Sequence, residues 1–171
     1  DMNRADITRD DFREQRLARI PLGEIGAPEI WERLTLAWQD GETGMVSYLG
    51  RQLGSAWQPG LDALDRLQQD FSAITQVPTR IGPQGRGTDA LFEAAMHGFT
   101  RADTEAALEA WRKIAPHVDL GAGARREIEH DLMFYSMVRE VANNRGWVDA
   151  TLPDFHDTDL LELRAKLRAG S

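Results

Sequence analysis

Between residues 88 and 143 the apolar side chains recur every three or four positions, interrupted only where glycine, proline or a cap-forming residue intervenes. That period matches the turn of an α-helix and not the alternation of a strand, so it restricts this stretch to packed amphipathic helices. The first follows the loop Gly82-Pro83-Gln84-Gly85-Arg86-Gly87, with Thr88 placed as its N-cap and Leu91, Phe92, Ala95, Met96 and Phe99 on one face. It is expected to stop between residues 98 and 101. A second begins at Asp103 or Thr104, carries Ala107, Leu108, Trp111, Ile114 and Ala115, and ends before Pro116. The third is expected over residues 122–143, with Ile128, Leu132, Tyr135, Val138, Val141 and Ala142 as its stripe. Asn143-Asn144-Arg145-Gly146 would terminate it, asparagine or glycine suiting the left-handed turn after a helix. None of the three buries its stripe alone, and the short connections make neighbours in sequence the expected partners.

The flanks repeat the pattern. Residues 7–19 read as a helix with Thr8 as cap and Asp11 where a capping box would carry Glu or Gln, cut short by Pro21-Leu22-Gly23. Pro28 opens another, with Ile30, Trp31, Leu34 and Trp38, stopped by Asp40-Gly41. Met45, Val46, Leu49 and Leu53 stripe the next, which Gly54 closes, and the two are expected to pair as a hairpin. Pro59 starts a helix whose stripe runs through Leu61, Leu64, Leu67, Phe71 and Ile74. Residues 78–87 read as an internal flexible loop rather than a domain boundary, because helices of the same type resume after it. Trp147 and Val148 fall in a short element before Pro153. Asp157 or Thr158 caps a last helix with Leu160, Leu163 and Leu167 on one face and Leu161 beside them; Arg164, Lys166 and Arg168 suit its negative C-terminal end. An echo at an offset of 61 pairs Thr43 with Thr104, Arg51 with Arg112 and Leu53 with Ile114, consistent with a degenerate helical-repeat array. Nothing reads as a strand.

The 171 residues suffice for one domain with a real core, and the 28% of charged residues fits helices that keep one side wet. A net charge of -8 opposes nonspecific nucleic-acid binding, which depends on neutralising phosphates, and opposes anchoring on anionic lipid. The absence of cysteine removes disulfides, thiolate metal sites and a Cys nucleophile. No run of 18 apolar residues is present, so no membrane span is expected. The chain starts at Asp1 without a signal sequence, as a mature secreted protein or a piece of a longer one would.

Sequence motifs for chemistry are weak. Glu127 and His130 stand three apart on one helix, where a Glu-x-x-His pair can offer two metal ligands, but di-iron sites need a second such pair and further glutamates; a solvated charged face is the plainer reading. His97, His117 and His156 have no partner at ligand spacing. The loop before Thr88 lacks the lysine of a phosphate cradle, Gly87 standing in its place. Ser47, Ser55, Ser72 and Ser136 lack a nucleophile-elbow context. Trp31, Trp38 and Trp111 lie on apolar helical faces. Trp57 and Trp147, near helix ends, are the better candidates for a ligand surface, although packing between hairpins is the expectation there too.

One further pattern spans about residues 31–168. A hairpin reads Leu36-Ala37-Trp38-Gln39-Asp40-Gly41-Glu42-Thr43 and then Tyr48-Leu49-Gly50-Arg51-Gln52-Leu53. A second covers residues 91–111 with Ala102-Asp103-Thr104 at its turn, followed by the long helix over 125–141 and the leucine- and arginine-bearing helix over 160–168. This order of hairpins resembles the superhelical domain of soluble lytic murein transglycosylases. The resemblance implies an all-α fold, an array of antiparallel helical hairpins forming a curved superhelical scaffold. It also implies a periplasmic parent enzyme that cleaves peptidoglycan glycan strands and releases anhydro-muropeptides, with a separate lysozyme-like domain carrying a catalytic Glu followed by Ser. No Glu-Ser dipeptide occurs here.

Residues 1–171 are therefore expected to form a single helical-repeat-like domain, a non-catalytic fragment of a longer protein. No catalytic, cofactor-binding or metal residue is assigned. The implied partners are peptidoglycan, through the parent enzyme, and the parent's own catalytic domain, with no nucleic acid. The rival readings are a stand-alone helical-repeat adaptor that binds a protein partner, and a small helical enzyme holding a metal at Glu127 and His130.

Overall fold

Proline and glycine set the first boundaries. In the computed structural model, which describes residues 26–170, Gly26 is the extended N-cap and Pro28 lies in the first turn of α1 (Ala27–Gln39), where its missing N–H costs nothing. The helix expected over residues 7–19 lies outside the described residues. Asp40 caps the C-terminus of α1 and Gly41, at φ 76°, turns the chain. Helix α2 (Thr43–Gly50) packs on α1 and buries Leu49. It stops short of Gly54, so Leu53 belongs to the turn that follows and not to a helical stripe.

A 3-10 turn, Ser55–Trp57, leads into α3 (Gln58–Gln69). The stripe expected to run on through Phe71 and Ile74 belongs to two elements. Asp70 leaves the helix in extended geometry, and its carboxylate accepts the Ser72 N–H at 2.9 Å and hydroxyl at 2.8 Å, starting a 3-10 turn over Phe71–Gln76. Ile74 is still buried, so the apolar period survives a break in the helix.

Helix α4 (Thr88–Ala102) is the hub. It packs against α1, α3, the Phe71–Gln76 turn, α5 (Thr104–Ile114) and α6 (Ala122–Val138). Its expected face is buried, and so are Thr88, Ala94 and Thr100, because neighbours surround it. The helix runs to Ala102, one residue past the expected stop at residues 98–101. Gly98 stays helical and serves as a notch: a Cβ there would lie 2.6 Å from Cζ of Phe71. Glycine inside a helix costs about 1 kcal/mol against alanine. Full burial of such a ring contributes roughly 1.5–3 kcal/mol, and Phe71, half-buried in the notch, gains a part of that which is of the size of the glycine cost. Phe71 then stacks on Phe99, centroids 5.7 Å apart and planes 13° from parallel. The helix ends at Asp103, whose carboxylate accepts the Ala106 N–H and caps α5 in the same residue.

The loop before α4, read from composition as a flexible connector, is tied to the core. Thr88 is not an N-cap; Gly87 holds that position, and the Thr88 hydroxyl accepts the Ile81 N–H at 2.9 Å. Ile81 is fully buried, and the Gly87 N–H donates to its carbonyl at 2.8 Å.

Helix α6 is shorter than expected. It ends at Val138, with Arg139 as C-cap and Glu140 in the left-handed region at φ 52°. The Val141 N–H donates to Ser136 O and the Glu140 N–H to Met137 O, the Schellman pair. The asparagines expected as its stop do other work. Asn144 is buried and donates from Nδ2 to Ser136 Oγ at 2.9 Å and to Thr104 O at 3.3 Å. The short element before Pro153 is a full helix, α7 (Arg145–Phe155). Pro153 falls in its last turn, so only the bond to the Asp149 carbonyl is lost before His156, at φ 55°, ends it. Asp157 caps α8 (Thr158–Ala169) by accepting the Leu160 N–H.

All regular structure among the described residues is helical, and no helix among them is long and apolar enough to cross a membrane. Most buried side chains form one cluster, from Ile30 to Leu132. A smaller one gathers Met133, Val148, Leu152, Phe155 and Leu160 between α6, α7 and α8. Leu132 and Met133 stand side by side on α6 and point into different clusters, so this helix is the wall between them; Trp147 packs against both.

Candidate functional site

A polar concavity lies between α1, α4 and α6, a cleft of about 140 Å³ whose lining includes Thr35, Gln39, Glu93, His97, Glu127 and Asp131. Helical spacing assembles it. Glu93 and His97 are one turn apart on α4, and Glu127 and Asp131 are one turn apart on the facing stretch of α6. Arg101, one turn beyond His97, donates from Nη1 to Asp131 Oδ2 at 3.0 Å and to the His97 carbonyl at 3.0 Å. His97 Nδ1 stands 3.8 Å from the same carboxylate oxygen, beyond hydrogen-bond reach. The Arg101 guanidinium lies 4.9 Å from the centroid of Tyr135, and that of Arg139 lies 5.0 Å from it. Arg139 also donates to the Arg101 carbonyl at 2.8 Å and to Thr104 Oγ1 at 3.1 Å.

Chemically the cleft carries three carboxylates against one guanidinium and one imidazole. Asp131 is neutralised by Arg101, while Glu93, His97 and Glu127 each engage a further group. The Arg101–Asp131 link holds α4 to α6. Among the described residues no three of His, Cys, Asp and Glu are placed to share a metal ion.

The Glu127–His130 pair is not brought together. Glu127 faces this cleft, whereas His130 leans toward the end of α7, with Nε2 3.6 Å from Asp157 Oδ2 and its ring 6.4 Å from that of Phe155. Three residues along a helix leave the two side chains about 60° apart, enough to serve different neighbours. His117 and His156 are exposed.

The tryptophans pack. Trp57, a candidate for a ligand surface, is 2% exposed and lies 5.5 Å from Trp31. Trp111 donates to Glu129 Oε2 at 3.2 Å and joins α5 to α6. Trp38 meets Phe71 edge-on at 6.4 Å, and Trp147 is half-buried between the two clusters. Ser136 is buried as the acceptor for Asn144, and Ser47, Ser55 and Ser72 are exposed. The glycine loop before α4 turns its backbone to Ile81 and Trp31 through Gly87.

The Arg101–Asp131 link was not singled out in the sequence. The two residues are 30 apart, and nothing in their local patterns marks them as a pair. The chain matches no family model, no characterised protein and no solved structure.

Proposed function

We propose that this chain is a non-catalytic helical scaffold segment of a soluble lytic transglycosylase acting on peptidoglycan glycan strands in the periplasm. In this reading its helices form antiparallel hairpins that curve into a superhelix, and their role is to position the parent enzyme's catalytic domain on the cell wall. The observation that supports it is where the resembling residues fall. The residues of the two hairpins lie on helix pairs that pack on each other, α1 with α2 and α4 with α5, the second pair joined through the single residue Asp103. The polar cleft supports the same role, since its Arg101–Asp131 pair serves a contact between helices.

The test compares this chain with the longer reading frame on purified peptidoglycan sacculi, reading released anhydro-muropeptides by mass spectrometry. Release only by a longer protein carrying a lysozyme-like domain with its Glu-Ser is the expected result. Release by residues 1–171 alone would show that the chain is catalytic and overturn the reading.

A second reading, a stand-alone adaptor binding a protein partner, is favoured by one observation. Phe134 and Val138, 37% and 41% exposed, stand one turn apart on α6, and Met45 and Tyr48 are similarly exposed on α2. A reading frame without a lysozyme-like domain would make it the better one.

A further inference from the structure

A second cavity, of about 210 Å³, opens between the end of α6, α7 and α8. Its floor is apolar, made by Met137, Val141, Val148 and Leu167. Three guanidiniums line it as well: Arg145 from the first turn of α7, and Arg164 and Arg168, one turn apart on α8. We propose that this pocket binds a small carboxylate ligand with a short apolar tail, the tail on the valine and leucine floor and the carboxylate against Arg145 and Arg164.

Charge carries the argument first. The protein has a net charge of -8, yet three arginines line this pocket beside one lining carboxylate, Glu140, while Asp149 pairs with Arg164 and Arg168 at its edge and Arg168 engages a further group. The region is cationic in an acidic molecule, which selects for an anion. Geometry carries it next. Asp149 Oδ1 accepts from both Arg164, at 3.4 Å, and Arg168, so one carboxylate orients the two α8 arginines at the mouth. A guanidinium has five N–H donors, and Arg164 gives Asp149 one long bond, leaving donors for a second acceptor. Arg145 is exposed and has no polar partner among the described residues. A planar fork of this kind matches a carboxylate through two parallel bonds.

Size limits the tail. At about 210 Å³ the cavity is below the roughly 300–1,000 Å³ of most drug-sized sites, which restricts it to a small acid. The polar cleft does not offer this chemistry, since carboxylates dominate it. The proposal is independent of the scaffold reading.

The experiment titrates isotope-labelled protein with hexanoate, with hexanol and hexylamine as matched controls, and follows backbone amide shifts. Saturable shifts for hexanoate, centred on Arg145, Val148 and Leu167 and absent for both controls, are expected. Arg145→Ala should weaken hexanoate binding roughly tenfold, as loss of a charged hydrogen bond does, and Arg145→Lys should recover part of it. Arg145 is exposed, so both variants keep the fold, which the rest of the amide spectrum verifies; Arg112→Ala, on the exposed side of α5, should bind as the parent does. Equal binding of hexanol would show that the guanidiniums do not select the ligand and would overturn the proposal. So would shifts centred elsewhere, or no saturation at all.

Discussion

The indole N–H of Trp31 donates to the carbonyl oxygen of Gly87 at 2.9 Å, across 56 residues of chain. That carbonyl also accepts the Leu91 N–H at 3.2 Å, as the first intrahelical bond of α4. One buried oxygen therefore joins α1 to the start of the hub helix. A Cβ on Gly87 would lie 2.8 Å from the Trp31 nitrogen and 2.7 Å from Trp57, so the approach requires glycine.

Trp31→Phe removes the donor and part of the ring but leaves the Gly87 oxygen its helical partner. The expected loss is about 2–3 kcal/mol, the sum of a buried hydrogen bond and a partly unfilled cavity. Urea denaturation should show a lower midpoint with an unchanged slope. A loss below about 0.5 kcal/mol, within the range of a surface substitution, would mean that this tie contributes nothing.

Two glycine-to-alanine changes should have opposite signs. Gly98→Ala drives a methyl into Phe71 and should destabilise by about 1–3 kcal/mol. Gly123→Ala, in the first turn of α6 with open space around it, should stabilise by about 0.5 kcal/mol. Melting temperatures of the pair check both at once. Destabilisation by both changes would sink the notch explanation, because helix propensity favours alanine at each site.

Glu140 holds the left-handed conformation that ends α6 without being a glycine. Such a conformation costs an L-residue roughly 1–2 kcal/mol, partly offset in a glycine variant by backbone entropy. Glu140→Gly is expected to raise stability by about 1 kcal/mol, which for a chain of this size is a rise of roughly 2–4 °C in melting temperature. A fall would show that the Glu140 side chain contributes more than the strain costs.

The Asp70 carboxyl is held below its ordinary value by the hydrogen bond from the Ser72 hydroxyl, and further by the Ser72 backbone N–H. A depressed carboxylate stabilises the fold above the unfolded pKa of 3.8, and the contribution fades as pH falls through the lower folded value. Carboxyl-detected NMR titration should place Asp70 below free aspartate, and Ser72→Ala should move it back up. An unchanged titration in that variant would remove the hydroxyl as the cause.

How much was legible in the sequence differs by residue. The caps Asp103 and Asp157 could be read because their physics is local: a short carboxylate reaches an N–H a few residues on, whatever the rest of the chain does. Pro28 and Pro59 marked helix starts for the same reason. The echo between Thr43 and Thr104 holds at the helix starts and fails beyond them, since α2 ends at Gly50 while α5 runs to Ile114. Of the two cavities, the sequence offered Glu127 and the arginines of α8 but not their partners. Arg101 with Asp131, and Arg145 with Arg164, are separated by whole helices.

Apolar period and caps by themselves determined that the described residues are helical, where most helices begin, and much of the core, although Met45 and Val138 on expected stripes are exposed. Both signals act within one or two turns, so folding does not alter them. Only the tertiary structure decided that Gly98 is a notch and not a stop, that Glu140 rather than Asn143 ends α6, that Thr88 bonds back to Ile81, and that Pro153 sits inside a helix. In each case the deciding partner is a ring, a buried backbone group or a neighbouring helix supplied by packing, and a gain of one or two kcal/mol there outweighs a local preference of similar size.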